Sequence, residues 1–592
     1  MKKKSFFIGA SILAIGGFLA KFLGAFYKIP LTHILGANGM GVYYLVFPFY
    51  SLALILASSG ISTAVTKMVA TERSKFNKRN EQKIFKLAIL CSFIVSLILV
   101  GLTYLLADTF SFLQGNNNAY LSYLAIAPAI VFASVLAVIK GYFQGVENML
   151  PSSISLLVQQ TFKLLFGLFF AYKLKDLGVQ YAVLGAIIGV TLSELVTLIY
   201  LTIRFVVYRH KQFYKFYEKK PCEKHDEIHR LKREYLSKNT AVLYCSNSRR
   251  QRIKKRLRCD KYYCENNDCC SYKTLFVKLI KYAIPSTLSS LVLPLSVFVD
   301  SFLVVNLLTN SGYSTTIATS LYGMSNGIVS SLISLPIVVI SALSTTIVPN
   351  LSSTIELSSQ DVVVTKTNFF IKFAWIIALP MCALYLIFSS EIINVLYAGG
   401  LSSKVIDEFA FSYKILALSS ISIIYNAFLY TFTAILNAFD KPEVPFYSQI
   451  IALAVRTLLA VVLVSIPGLN VFGLIIANTV FLLISCVGCV LSLRKVIPLR
   501  VNFKTFFVTP IVSIILVSVL GYGIKQLCYS VLPSWLVMVI VGGVMMTMYI
   551  LLLFVLRAFN TREWAYLPIP KKLVRFLPKK FRKYIQPEDQ VI

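Results

Sequence analysis

Three basic residues, Lys21, Lys163 and Arg456, stand near the centres of apolar segments long enough to cross a membrane. Charge at bilayer mid-depth costs about 2.5–3.5 kcal/mol per residue on insertion scales, so such a side chain faces a polar cavity or an opposite charge. Lys28 follows on the same segment as Lys21. Gly17, Lys21, Gly24 and Lys28 have the spacing of one helical face, with glycines that permit a close neighbour and ammonium groups along one stripe. Two acidic residues, Glu194 and Asp300, lie inside apolar segments as well. The balance is positive, which suits an anionic cargo and opposes a cationic one. A phosphate or pyrophosphate fits, because charge-assisted hydrogen bonds to its oxygens are short and strong.

Each of these residues also has a plainer role. Lys28 lies near a segment end, where it can snorkel to the headgroups. Lys163 and Glu194 belong to adjacent helices and can form an ion pair, and Arg456 can do the same with Asp300. In the functional alternative Lys163 meets the anion and the Arg456 guanidinium forks onto it. Glu194 or Asp300 then titrates or binds a coupling cation. The sequence leaves these alternatives open.

The elements that position these residues are helices. Of 592 residues, 57% are hydrophobic, too many for a soluble chain of this length to hide. A span needs about 20 apolar residues, which gives about fourteen helices. They fall near 5–31, 41–66, 84–106, 118–139, 152–172, 182–203, 276–307, 320–347, 367–389, 410–437, 446–466, 470–493, 504–525 and 533–556. Pro48, Pro128, Pro285, Pro294 and Pro336 predict kinks within them. The start Met1-Lys2-Lys3-Lys4 plus an apolar run mimics a signal peptide, but no small-residue cleavage site ends it, so it reads as a retained first helix.

The net charge of +33 gathers in a few polar segments rather than on a nucleic-acid face. Lys67–Lys86, Arg204–Lys278, Arg494–Lys504 and Arg557–Lys583 are rich in Lys and Arg, whereas the loops around 107–118, 308–320 and 465–470 have none. The basic segments serve as topology signals and contacts for anionic membrane lipids, and they place both termini in the cytoplasm.

The chain repeats itself. Ile61-Ser62-Thr63-Ala64-Val65 returns as Leu343-Ser344-Thr345-Thr346-Ile347, and Gln144-Gly145-Val146-Glu147-Asn148 before Pro151 returns as Asn437-Ala438-Phe439-Asp440-Lys441 before Pro445. Both matches recur at nearly the same distance along the chain and at equivalent helix ends. Two parallel six-helix halves with a cleft between them are a transporter plan. The expected units are 1–203 and 276–493 for the two lobes, 204–275 for a basic Cys-rich insert, 494–556 for helices thirteen and fourteen, and 557–592 for a basic tail.

The insert carries Cys222, His225 and His229 at a spacing compatible with one helical face, and Cys259, Cys264 and Cys269 downstream. These spacings match no zinc module, so no metal is assigned, and no cofactor either. The chain has no Gly-rich phosphate loop ending in Lys-Ser/Thr and no Gly-x-Ser-x-Gly elbow, and its four histidines form no catalytic set, so the reading is not an enzyme.

Lys21-Phe-Leu-Gly-Ala-Phe-Tyr-Lys28-Ile-Pro30-Leu with Leu35-Gly36-Ala-Asn-Gly39-Met-Gly41-Val-Tyr resembles the opening of stage V sporulation protein B-like polysaccharide biosynthesis proteins. These are relatives of the bacterial lipid II flippases in the multidrug/oligosaccharidyl-lipid/polysaccharide exporter superfamily. Gly141-Tyr-Phe-Gln144-Gly145 with Asn148-Met-Leu-Pro151, and Ala283-Ile-Pro285 through Asp300, extend the resemblance to nearly all of the chain outside the insert. It implies a V-shaped bundle in the bacterial cytoplasmic membrane, alternating access, and export of undecaprenyl-pyrophosphate-linked saccharides. It also implies that helices thirteen and fourteen shape a groove for the lipid tail while basic cavity residues grip the pyrophosphate, a role that carries over to Lys21. The expected function is a flippase for lipid II or a related peptidoglycan intermediate, with Lys21, Lys28, Lys163 and Arg456 on the pyrophosphate. The alternatives are a flippase for capsular or teichoic-type saccharides, a cation-coupled drug exporter using Glu194 and Asp300, and a non-transporting scaffold working through the insert.

Overall fold

The computed structural model describes residues 2–74, 77–218, 271–357, 359–398, 403–466, 468–498, 502–530, 532–559 and 563. Among the described residues every regular element is a helix and no strand occurs. Thirteen helical stretches are long and apolar enough to cross a membrane. The first, Ile15–Arg73, has 59 residues, and a straight helix of that length would span about 90 Å, some three bilayer cores. It is two crossings. α1 (Lys2–Leu54) breaks at Gly36, whose φ of 67° and ψ of −179° lie where only glycine sits without strain. Residues 16 to 27 ascend along Ser153, Gln160 and Gly167, and residues 39 to 69 return from Val183 to Gly145. Among the described residues this makes fourteen candidate crossings, in line with the apolar runs. The helices continue through Pro48, Pro128, Pro285 and Pro294, so the sharp break falls at a glycine rather than at the expected prolines.

After α1 come a π-turn at Ile55–Ser59 and α2 (Gly60–Ser74), then α3 (Lys78–Leu113), α4 (Tyr120–Gly145), α5 (Met149–Leu174) and α6 (Val179–Glu218). These helices form the N-terminal lobe. The C-terminal lobe starts with α7 (Tyr272–Asn310), α8 (Thr315–Gly323), a π-turn at Met324–Val329, α9 (Ser330–Leu357) and α10 (Gln360–Ile387). It continues through the short α11 (Ser389–Ile393), α12 (Ser403–Ser419), α13 (Ser422–Ala438), α14 (Glu443–Val464) and α15 (Asn470–Val496). Two extra helices, α16 (Thr509–Tyr529) and α17 (Ser534–Val555), pack against each other and against α10. The side of the membrane where α1 begins is here the proximal side, and the opposite one is distal.

The core shows how the lobes are joined. One buried cluster runs across both lobes at the distal end, from Leu35, Met40 and Tyr43 to Val304, Tyr322, Ile415 and Leu474. Proximally the core splits in two. Ile61, Val65, Ile139 and Phe205 belong to one cluster, which reaches only the start of α7, and Leu351, Ile435, Cys489 and Leu493 to the other. The lobes thus meet distally, touch along the α2–α7 seam, and part on the proximal side. Without a hydrophobic drive between helices in lipid, such a seam needs close van der Waals contact, and glycine supplies it. A Cβ on Gly41 would overlap the Thr319 backbone, and one on Gly323 would overlap Ala37 and Gly41.

Candidate functional site

Between the parted lobes lies a cavity of about 410 Å³. Gly17, Phe18 and Lys21 of α1 form one wall, and Ser341 and Ser344 of α9 with Tyr430 and Asn437 of α13 form the opposite one. Lys21 is exposed, as a mid-membrane lysine facing an aqueous space should be. One turn and more beyond it, Lys28 lies 5.3 Å from the Tyr44 ring centroid. Lys163 of α5 sits 4.7 Å over Phe47 and 5.3 Å over Tyr27. Two ammonium groups therefore converge on an aromatic patch, where cation–π attraction replaces part of their lost hydration without neutralising them. The sequence predicts neither these aromatic partners nor the approach of Lys163 toward α1.

Glu194 is buried in the N-terminal lobe and does not pair with Lys163. Tyr50 donates its hydroxyl proton to Oε1 at 2.9 Å, and the Gln159 amide donates to the same oxygen at 2.5 Å. Oε2 has no hydrogen-bond partner. Lys140 of α4 reaches the Gln159 side-chain oxygen at 3.5 Å, which completes a chain of neutral and charged groups inside the lobe. Lys140, Tyr50 and Gln159 escaped the sequence reading, although a lysine inside the apolar run of α4 is itself a signal of a buried polar cluster.

Asp300 and Arg456 have the opposite arrangement. Arg456 Nη1 donates to Asp300 Oδ1 at 2.8 Å, Nη2 donates to Oδ2, and Nε donates to Asn478 Oδ1 at 2.6 Å. The guanidinium is 2% exposed and is held within the C-terminal lobe, away from the residues that line the Lys21 cavity. Of the four cations that the sequence predicts on the anion, the structure gathers Lys28 and Lys163 on one patch, sets Lys21 in the cavity and ties Arg456 to Asp300.

The distal end is closed by uncharged hydrogen bonds between the lobes. Gln114 donates to Ser301 Oγ at 2.9 Å, Asn116 to Thr319 Oγ1 at 3.0 Å, and Asn306 to the Leu113 carbonyl at 2.6 Å. His33 Nε2 donates to the Leu396 carbonyl at 2.9 Å and stacks on Tyr397. Two ion pairs also fasten the extra helices. Lys525 of α16 meets Glu391 of α11 at 2.7 Å, and Lys372 of α10 meets Glu563 at 2.8 Å. Among the described residues no group of three or more His, Cys, Asp or Glu comes together to hold a metal ion. Cys222, His225, His229, Cys259, Cys264 and Cys269 lie outside the described residues.

The comparisons with known proteins bear on the same two halves. Residues 7–224 match the polysaccharide biosynthesis protein family, and residues 270–546 match the lipid II flippase MurJ family. The N-terminal half is thus similar to the one family and the C-terminal half to the other. Stage V sporulation protein B of Bacillus subtilis (strain 168) is 23% identical over 578 residues, covering 97% of this chain and 100% of that one. The lipid II flippase MurJ of the same organism is 26% identical over 197 residues, 31% of this chain and 36% of its own. Among solved structures, an inward closed conformation of the lipid II flippase MurJ aligns with a TM-score of 0.62 at 16% identity, over 91% of this chain and 97% of that one. An inward-facing multidrug resistance transporter of the MATE family and MOP superfamily aligns with a TM-score of 0.58 at 14% identity, over 82% and 98%. These likenesses extend across both lobes.

Proposed function

We propose that the protein is a flippase that carries a polyprenyl-pyrophosphate-linked saccharide, lipid II or a related peptidoglycan intermediate, across the bacterial cytoplasmic membrane by alternating access. The observation that carries the reading is the proximal cavity with a lysine at membrane depth, set between lobes that meet distally and along the α2–α7 seam and part elsewhere on the proximal side. Basic loops on the proximal side make that side the cytoplasm and put both termini there. The lipid enters from the cytoplasmic leaflet. Lys21, Lys28 and Lys163 hold the pyrophosphate, whose charge offsets the cost of three ammonium groups in the membrane. Opening the distal side requires breaking the Gln114, Asn116, Asn306 and His33 contacts, none of which involves a full ion pair, so exchange between the two states needs no large electrostatic cost.

Arg456 and Asp300 enter this reading as a pair that braces the C-terminal lobe. Glu194, with one oxygen lacking a hydrogen-bond partner, two neutral donors on the other and the ammonium groups of Lys140 and Lys163 nearby, is the carboxyl proposed to take up and release a proton during the cycle.

Reconstituted in liposomes, the purified protein should move lipid II, and Lys21→Ala should abolish the movement. If only an undecaprenyl-linked saccharide lacking the peptide moves, the flippase reading stands and the cargo changes. Full transport by Lys21→Ala would remove the lysine from the pyrophosphate site.

A further inference from the structure

A second cavity of about 290 Å³ lies beside the first, enclosed by α9, α10 and α13. Unlike its neighbour it holds no lysine, and Thr346, Asn350 and Thr431 add polar atoms to an otherwise apolar lining. Ile340, Ile347, Phe369, Phe370, Phe373 and Ile377 make its walls, and no charged side chain lines it. The two cavities lie on two sides of α9, and Ser344 lines both. The Ser344 hydroxyl donates to its own helix, to the Ile340 carbonyl at 3.0 Å, and so adds no polar barrier. None of the walls comes from α16 or α17, the helices from which the family resemblance builds a lipid-tail groove.

We infer that this aromatic chamber receives a length of the polyprenyl chain of the same lipid whose pyrophosphate occupies the Lys21 cavity, an assignment that rests on the flippase reading above. Three observations favour this occupant. An apolar chain gains van der Waals contact with the aromatic and aliphatic walls along most of the chamber. Branched isoprene units present methyl groups to the faces of three phenylalanines, whereas a hydrated head would find no cation there. On the same helix as the phenylalanines, Lys366 already donates to Thr354 Oγ1 at 2.7 Å and to the Asn350 carbonyl at 3.3 Å. A bulk phospholipid seated here would have to compete for that ammonium, while a chain arriving past Ser344 already has its head at Lys21. The lipid then bends around α9, head and tail on two sides of one helix, and α9 can report to both lobes that the cargo is loaded.

Photolabelling tests this. A long-chain polyprenyl pyrophosphate with a diazirine on its chain is irradiated with the full-length protein in liposomes, and labelled peptides are mapped by mass spectrometry. The label should fall on the α10 segment Phe369–Ile377 and be competed by unlabelled polyprenyl pyrophosphate. Thr346→Phe, which fills the chamber from its exposed rim, should lower it roughly fivefold, and Phe373→Ala should restore room and shift the label toward residue 373. Label confined to α16 and α17 overturns the assignment. So does label on α10 that survives competition and is matched by a photoreactive phosphatidylglycerol, because the chamber is then a bulk-lipid site. Labelling of α10 that is unchanged in Lys21→Ala, together with normal transport by that variant, leaves the tail chamber standing and removes the head-group reading.

Discussion

Glu194 and Asp300 are both buried carboxylates at membrane depth, each 2% exposed, one in each lobe, and they are treated in opposite ways. Asp300 receives a bidentate arginine that is itself anchored by Asn478, so every charge there is matched by a fixed counter-charge. Glu194 receives only a phenol and an amide on one oxygen and nothing on the other. Of the cations of its lobe, Lys140 reaches the Gln159 oxygen beside it, and Lys163 and Lys28 lie over aromatic rings. A matched pair resists change, whereas an under-matched carboxylate beside unneutralised lysines changes state when an anion arrives or a proton leaves. The C-terminal lobe thus matches its buried carboxylate with a fixed counter-charge, while the N-terminal lobe holds its charges against neutral donors and aromatic rings.

The most damaging test of this contrast is Arg456→Ala. It strands Asp300 in an apolar setting, and removing one partner of a buried pair costs about 3–5 kcal/mol. The expected outcome is a large fall in melting temperature in detergent, with most of the loss recovered when Asp300→Asn is added. If the single variant melts normally, the pair is not a brace.

Next come the cavity lysines. Lys28→Ala and Lys163→Ala should each weaken binding of a polyprenyl pyrophosphate by roughly tenfold or more, the worth of one charge-assisted hydrogen bond, with little change in melting temperature. Isothermal titration on both variants separates binding from folding. Equal affinity in wild type and both variants would shift the anion elsewhere.

Glu194→Gln sharpens the comparison from the other side. A glutamine oxygen still accepts from Tyr50 and Gln159, so the variant should fold normally while losing the pH dependence of transport. A strongly destabilised variant would make Glu194 a structural residue like Asp300.

The distal seam should yield a smaller effect. Gln114→Ala combined with Asn116→Ala removes two uncharged interlobe bonds worth about 1 kcal/mol each. In a Ser320→Cys background, buried in the intact protein, the thiol should then react several-fold faster with an impermeant thiol reagent from the distal side. Unchanged labelling would assign the closure to glycine packing alone.

The smallest effect belongs to Glu391, outside the spans. Burial alone would raise its carboxyl, but hydrogen bonds from Lys525 and Tyr529 outweigh that and hold it below the usual glutamate range. A depressed carboxyl stabilises the fold above the ordinary value of about 4.3, and its contribution disappears as pH falls through the folded value. Glu391→Gln should therefore melt about 1–2 °C lower than wild type at pH 7, with the gap closing on acidification below pH 4. A gap that persists at low pH would point to lost packing rather than lost charge.

Much of this architecture is legible in the chain. Fourteen crossings follow from apolar length, because lipid forces each span to satisfy its own backbone and so leaves a long, countable run. The first two crossings read as separate runs around Leu35-Gly36, and the glycine there turned out to be the break itself. Lys21, Lys163, Arg456, Glu194 and Asp300 stood out for the same reason, since charge in such runs is costly and rare. Lys140, Lys372 and Lys525 carried the same signal within apolar stretches and went unread, while their partners Gln159, Glu563 and Glu391 looked like ordinary loop or helix polar residues.

What the sequence determined by itself was therefore one-dimensional: how many times the chain crosses, which charges it buries, and that its halves repeat. Only the tertiary structure decided which charges are spent on each other and which face the cavity. Arg456 lies 156 residues from Asp300, and Glu194 lies 144 from Tyr50. Hydropathy is a local property summed along one helix, but neutralisation is settled between helices, by packing that brings distant side chains to within 3 Å of one another.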